Sequence, residues 1–395
     1  MSNHKHGATL RRVVIWLLML SFVLSAVSVA VLAKENTQVP DTEVSRIFGS
    51  TRYETATKSA DAVSGLLGKN KLDAVILASG LDFADALAGS YLAVVKDAPI
   101  LLSNGKNTDQ LHSYIRSKVT QGGTVYILGG EKAMPASIAK GLTEYTVKRL
   151  SGATRYETNL AIIQEAGIAS NEILVCTGLD FADSLSASAV GKPILLVNNK
   201  NGALTQSQKE FLTSIPSSRI YILGGTVAVG EKLEAQLRCY GTVERIGGAT
   251  RYETSVLVAE KFFPQPQAAV LSYALTYPDG LCGGLLANLM KGPMILTRNE
   301  NAVTAKNYVQ GNNITSGAVL GGEILISNDT VKYIFGAKPQ APTEPEETTE
   351  PEETTEPEKP VVYGISYQLN GGENDTSNPA VYTQGTAVTL KPASK

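Results

Sequence analysis

Histidine is almost missing from this chain of 395 residues: there are three, and His4 and His6 stand within the first ten positions. Only His112 is left for the body, which argues against multi-histidine zinc sites and against a Ser-His-Asp or Cys-His centre. Cysteine is as scarce. Cys176, Cys239 and Cys282 are odd in number and lack metal-ligand spacing, so neither a disulfide scaffold nor CxxC redox chemistry is expected. Each reads as a free, mostly buried thiol. An excess of one charge is also lacking, for the formal net charge is −2. Residues 1–34 are basic with no acid, 338–360 holds eight Glu against two Lys, and the body between them is neutral. A neutral body argues against the broad basic face that nucleic acid requires and leaves room for small local anion sites. No nucleic-acid partner, metal or cofactor is expected.

What is present is apolar and repetitive. Apolar residues make up 43% of the chain, enough to fill cores, and the length suits two to four domains. Residues 1–33 read as a signal peptide or N-terminal anchor: Lys5, Arg11 and Arg12 precede an apolar run, 13–31, that ends in small residues. Uncut, that run is long enough to span a bilayer, so a membrane is a partner only if the leader is retained. Beyond it the chain repeats. RIFGSTRYET begins at Arg46, RLSGATRYET at Arg149 and RIGGATRYET at Arg245. Each is followed in constant order by LDFADAL, LDFADSL or LTYPDGL, then by PILL or PMIL, then by a strand ending in a Gly pair. Four blocks in one order, three times, define a triplicated domain with repeats at 44–146, 147–242 and 243–336.

Inside each repeat, short continuous apolar runs such as 74–78 alternate with helical segments such as 83–95 and 109–118. Runs of that kind suit strands buried on both faces, so the expected class is α/β: three tandem three-layer modules on parallel sheets. Segment 337–360 is an acidic Pro/Thr/Glu linker expected to be extended and self-repelling. Residues 361–395 return to strand-like alternation but are too few for a core of their own.

The TRYE tetrads place Thr three residues before Glu at a helix start, which is a capping box. That accounts for Thr and Glu and not for Arg52, Arg155 and Arg251, since a cation at the first helical turn is mildly unfavourable. These arginines either pair with a carboxylate of their own domain, with Asp85, Asp183 and Asp279 as candidates, or face an external anion. Asp82 with Asp85, Asp180 with Asp183 and Thr276 with Asp279 read as a second capping pattern rather than as hydrolytic carboxylate pairs, because the first member changes to Thr in the third copy. The Gly pairs, 129–130, 224–225 and 321–322, lack a dinucleotide or P-loop pattern and read as tight turns.

These blocks resemble the cell wall binding repeat type 2 family of Gram-positive surface proteins. The resemblance implies Rossmann-like modules in a pseudo-threefold arrangement. It also implies a secreted, non-catalytic protein of the cell wall or S-layer, anchored non-covalently to an anionic secondary polymer of the teichoic-acid or wall-polysaccharide kind. Arg52, Arg155 and Arg251, with Arg46, Arg149 and Arg245, are then the candidate polymer contacts. Two alternatives stand beside it: a wall hydrolase of the amidase or peptidase type, for which no HExxH or GxSxG is found, and an adhesin using the repeats as support. The last 35 residues resemble the start of a Listeria–Bacteroides repeat, a β-grasp-like surface module, on Tyr367–Gly372, Asn378-Pro379, Tyr382-Thr383 and Val388–Leu390.

Overall fold

The structure is a computed structural model that describes residues 37–215 and 218–336, together with 362–364, 378–379, 381–383 and 391. The leader, the acidic linker and most of the C-terminal module lie outside the described residues. In the unit ending at Pro339, strands and helices alternate as the sequence predicts. Repeat 1 supplies β2 (Glu43–Ile47), α1 (Arg52–Leu66), β3 (Leu72–Ser79), α2 (Ala84–Lys96), β4 (Ile100–Ser103), α3 (Thr108–Lys118), β5 (Val119–Leu128) and α4 (Ser137–Lys140). A two-residue strand, β1 (Thr37–Gln38), precedes it and pairs antiparallel with β2. Repeat 2 begins with β6 (Thr146–Leu150) and α5 (Arg155–Ala166), then β7 (Glu172–Thr177), α6 (Ala182–Ala187), β8 (Ile194–Val197), α7 (Gln206–Thr213), β9 (Ser218–Leu223) and α8 (Glu231–Leu237). Repeat 3 follows with β10 (Gly241–Ile246), α9 (Arg251–Phe262), β11 (Ala269–Tyr273), a 3-10 turn (Gly280–Cys282), α10 (Gly284–Leu289), β12 (Met294–Thr297), α11 (Val303–Gly311), β13 (Ser316–Leu320) and α12 (Asn328–Phe335).

Three sheets result, in the orders β4-β3-β5-β6, β8-β7-β9-β10 and β12-β11-β13-β2-β1. Apart from β1, every pairing in them is parallel. Each sheet takes its fourth strand from the start of the next repeat. β6, which carries Arg149, completes the first sheet, and β10, which carries Arg245, completes the second. The third sheet is completed by β2, with Arg46 opposite Val319, so the first repeat closes the last.

The central strands alternate between two cores, as side chains on a strand must. Ile76 and Ala78 of β3, Leu174 and Cys176 of β7 and Val270 of β11 join one cluster to which all three repeats contribute. Val75 and Leu77, Ile173 and Val175, and Ala269 and Leu271 point the other way into three separate clusters, one per sheet. The shared cluster is floored by Leu87, Leu185, Leu285 and Leu286 from the helices that follow β3, β7 and β11. Truncating one such fully buried leucine to alanine costs about 2–5 kcal/mol. Cys176 and Cys282 are buried as expected, whereas Cys239, at the end of repeat 2, is exposed. His112 is buried, its Nε2 at 2.8 Å from the Ile138 carbonyl oxygen.

In the C-terminal unit, β14 (Val362–Gly364) and β15 (Val381–Thr383) pair antiparallel. Asn378 exchanges two hydrogen bonds with the Lys391 backbone. The rest of the expected β-grasp-like repeat lies outside the described residues. Among the described residues no helix is long and apolar enough to cross a membrane.

Candidate functional site

The RxxGxTRYET motif can be followed atom by atom. Its first arginine holds the Gly-pair turn. Arg149 donates from Nη1 to the Gly129 carbonyl at 2.7 Å and Arg245 to that of Gly224 at 2.9 Å, with Glu234 and the Val229 carbonyl as further acceptors. Arg46 reaches Gly321 O and Ile326 O, both at 2.8 Å, and Asn328 Oδ1 at 2.9 Å. It is 2% exposed, and burial pushes its pKa down. These three residues were expected as polymer contacts; the structure buries Arg46, leaves Arg149 and Arg245 half-buried, and engages each guanidinium with the carbonyl of a Gly-pair turn. The turn itself requires glycine: Gly129, Gly224 and Gly321 have φ of 94°, 98° and 96°, and a Cβ on any of them would collide with Asp85, Asp183 or Asp279.

The glycine three residues after that arginine leaves room for the capping glutamate, since a Cβ on Gly152 would overlap the Cβ of Glu157. Thr154 and Glu157 form the complete capping box. Thr51 and Thr250 likewise accept from the Glu54 and Glu253 amides, but those glutamates reach back one residue further, to Ser50 and Ala249. The closing threonines, Thr55, Thr158 and Thr254, accept from the amides of Gly49, Gly152 and Gly248. Tyr156 and Tyr252 are buried in the shared cluster and Tyr53 packs against it. One residue is left over in each copy, the second arginine.

Arg155 donates to the Gly178 carbonyl at 2.7 Å, and its Nη2 meets Asp82 Oδ2 at 2.9 Å. Arg251 donates to the Ala274 carbonyl at 2.8 Å, and its Nη2 meets Asp180 at 3.3 Å. The carboxylate is therefore internal but belongs to the preceding repeat, not to the arginine's own domain, and it is the first acid of the D-F-A-D block. Each guanidinium also lies over that repeat's aromatic ring, 5.4 Å from the Phe83 centroid and 5.2 Å from that of Phe181. Phe83, Phe181 and Tyr277 meet in a triangle with centroids 6.3, 5.7 and 5.6 Å apart, the arrangement of equivalent residues around a local threefold axis. Leu81, Leu179 and Leu275, two residues before these rings, are exposed.

The third junction differs. Arg52 donates to the Gly80 carbonyl at 2.6 Å, the equivalent bond, but the residue equivalent to Asp82 and Asp180 is Thr276, and no carboxylate pairs with Arg52 among the described residues. Asp82 and Asp180 each accept from the two amides that follow, at 83–84 and 181–182. In repeat 3 the second of those positions is Pro278, which has no N–H, and a 3-10 turn without a side-chain cap replaces the helix start. The capping role expected for Thr276 is thus absent. Asp85 and Asp183 do not cap either. They are largely buried behind the Gly-pair turns, and burial, reinforced by Asp82 or Asp180, pushes each carboxyl up to about 6. Asp279 is raised by burial as well, against the Thr55 hydroxyl and the Arg52 charge, which lower it.

Three parallel α/β modules closed into a ring, with an arginine over an aromatic ring at two of the junctions, define a tandem-repeat α/β class. The model of the family described as cell wall binding domain 2 matches residues 46–139, 149–234 and 245–331, and the chain belongs to that family. It is 29% identical over 300 residues to the N-acetylmuramoyl-L-alanine amidase LytC of Bacillus subtilis (strain 168), a match covering 74% of this chain and 58% of that protein. A match to the amidase enhancer of the same organism is 28% identical over 269 residues, 67% of this chain and 36% of that one. The chain thus spans less than two thirds of the length of either relative. Two solved structures share the fold: Cwp8 from Clostridium difficile (TM-score 0.65, 24% identity, 74% of this chain and 51% of that one) and Cwp6 from the same organism (0.62, 24%, 76% and 49%).

Proposed function

We propose that this protein is a non-catalytic secreted protein of a Gram-positive cell surface, held non-covalently on an anionic secondary wall polymer through its three repeats. Membership of a wall-binding family already assigns it to the cell wall or surface in general terms. The observation that carries the finer reading is the aromatic triangle of Phe83, Phe181 and Tyr277, each ring two residues after an exposed leucine, together with Arg52, the one repeated arginine of the three that no carboxylate pairs among the described residues. Together these offer a cation for acidic groups and apolar surface for sugar rings. Co-sedimentation of the protein with purified walls, before and after chemical removal of their anionic polymers, tests the reading. Binding is expected to disappear with the polymer; undiminished binding to stripped walls refutes it.

The LytC likeness favours a second reading, a wall-lytic enzyme, and that likeness covers 58% of LytC. Against it stands the chemistry of the described residues. Their one histidine is buried against a backbone carbonyl, and Asp82 and Asp180 are held by helix amides and arginines. Zymography on wall material decides between the two, because a clearing band requires the enzyme.

A further inference from the structure

The three junctions are not equivalent, and the difference has a functional reading that rests on the wall-binding proposal above. At two of them the arginine is already answered. Asp82 neutralises Arg155 and Asp180 neutralises Arg251, and Phe83 and Phe181 cover one face of each guanidinium. At the third, Arg52 keeps only its bond to the Gly80 carbonyl. Its Nε and Nη2 have no protein partner among the described residues.

The change at this junction is coordinated. A carboxylate at 276 would need amides to hold it, and Pro278 has removed one of them. The Thr276 side chain is exposed, and it occupies the position equivalent to Asp82 and Asp180, which meet the guanidinium of the following repeat. Tyr277 donates its hydroxyl to the Leu81 carbonyl at 2.9 Å, which ties the third repeat to the first without a charge. Asp279 feels the Arg52 charge but makes no ion pair with it, and its side-chain hydrogen bond is with Thr55. Leu81 is the most exposed of the three equivalent leucines, 64% against 40% and 43%, and adds apolar surface to this junction.

We infer that the junction between the third and first repeats is the anion-accepting site, and that Arg52 binds there one oxyanion of the wall glycan, a carboxylate or a phosphodiester, with Thr276 as second donor. A guanidinium whose Nε–H and Nη2–H are both free presents one edge that suits such a group in a bidentate fork. Arg155 and Arg251 are fasteners between repeats. The protein thus offers one principal charged contact rather than three equal ones.

The test uses the full chain and compares Arg52→Ala, Thr276→Asp, Arg155→Ala and Arg251→Ala by sedimentation with walls and by thermal midpoint. Arg52→Ala is expected to weaken binding about tenfold, the loss of one charged hydrogen-bonding group. Thr276→Asp, which supplies the missing carboxylate on an exposed site, is expected to weaken it as much with the midpoint unchanged or raised. Arg155→Ala and Arg251→Ala are expected to lower the midpoint and to leave binding within about twofold. Wild-type binding by both Arg52→Ala and Thr276→Asp overturns the inference, as does an equal loss at all three arginines. Walls treated with hydrofluoric acid to remove phosphodiesters, and walls with carbodiimide-amidated carboxyls, identify which oxyanion is bound. If the unaltered protein does not sediment with walls at all, the wall-binding reading fails. Titration with polyphosphate and polyglutamate then decides the site by itself: binding lost in Arg52→Ala upholds it, and no binding overturns it.

Discussion

The junctions at Arg155 and Arg251 and the junction at Arg52 begin from the same ten-residue motif, and they differ in what the neighbouring repeat offers. In the first two an acid and a phenyl ring meet the cation; in the third the equivalent positions hold a threonine and a tyrosine followed by a proline, and the tyrosine hydroxyl takes over the link between repeats. Triplication sets each contact up three times, and changing one copy releases one contact without disturbing the scaffold that the other two maintain. The same asymmetry appears among the first arginines of the motif. Arg46 is buried with three partners, while Arg149 is half-buried with one. The ring-closing position, where β2 from the N-terminal side meets β13, carries the most enclosed of the set.

That contrast gives the largest expected effect. Arg46→Ala strands two buried carbonyls and loosens the strand that completes the third sheet, at a cost of about 2–4 kcal/mol. Arg149→Ala breaks one bond at a more exposed place, at about 1 kcal/mol. Denaturant midpoints of the two variants should differ in that order, and hydrogen exchange at 316–320 should rise in the first alone. Equal midpoints would mean that the closing strand is held by its backbone ladder and not by its arginine.

How much of this could be read in the sequence follows from the range of each interaction. The alternation of elements was legible because strands buried on both faces leave unbroken apolar runs, as at 74–78. Thr154 and Glu157 were legible as a capping box because their partners are three residues apart. The exchange of edge strands was not: a repeat looks self-contained along the chain, and nothing in RLSGATRYET says that its first strand pairs backwards with β5. The partner of Arg155 was missed for the same reason, since Asp82 lies 73 residues away, across a repeat boundary. Thr276 was visible in the sequence but read as a tolerated cap substitution. Its meaning depends on the cross-repeat pairing of the equivalent Asp82 with Arg155 and Asp180 with Arg251, which only the folded chain supplies.

A smaller effect separates the acids behind the Gly-pair turns. Asp85 is pushed from 3.8 up to about 6 by burial and by the neighbouring Asp82. An acid whose folded pKa is raised is better protonated in the native state. Its contribution to stability is therefore fully present below about pH 3.8 and is lost as pH rises through about 6, with an upper bound of about 3 kcal/mol. Asp85→Asn should accordingly raise the unfolding free energy at pH 7 by about 1–3 kcal/mol and remove part of the decline between pH 4 and 6. Asp279→Asn should gain less, because no acid stands at 276 and the Thr55 hydroxyl and Arg52 favour its charged form. Unfolding free energies of both variants across pH 4–8 check the order. Equal gains would mean that Asp82 adds nothing to burial and that the open and closed junctions are electrostatically alike.

The smallest effect concerns the hydroxyl that substitutes for an ion pair. Tyr277→Phe keeps the ring, and with it the triangle to Phe83 and Phe181, and removes only the bond to the Leu81 carbonyl. That carbonyl is near solvent, so water replaces the lost donor and the expected cost is about 0.5–1 kcal/mol. Asp82→Asn at a closed junction likewise retains its amide contacts and loses only the charge opposite Arg155, an exposed pair worth about 0–1 kcal/mol. The two variants should therefore shift the thermal midpoint by similar small amounts, which would mean that either device fastens a pair of repeats and that the choice between them is free to follow ligand binding. A Tyr277→Phe loss several times larger would instead make the hydroxyl the bond that closes the ring, and Thr276 would then owe its place to stability and not to the anion.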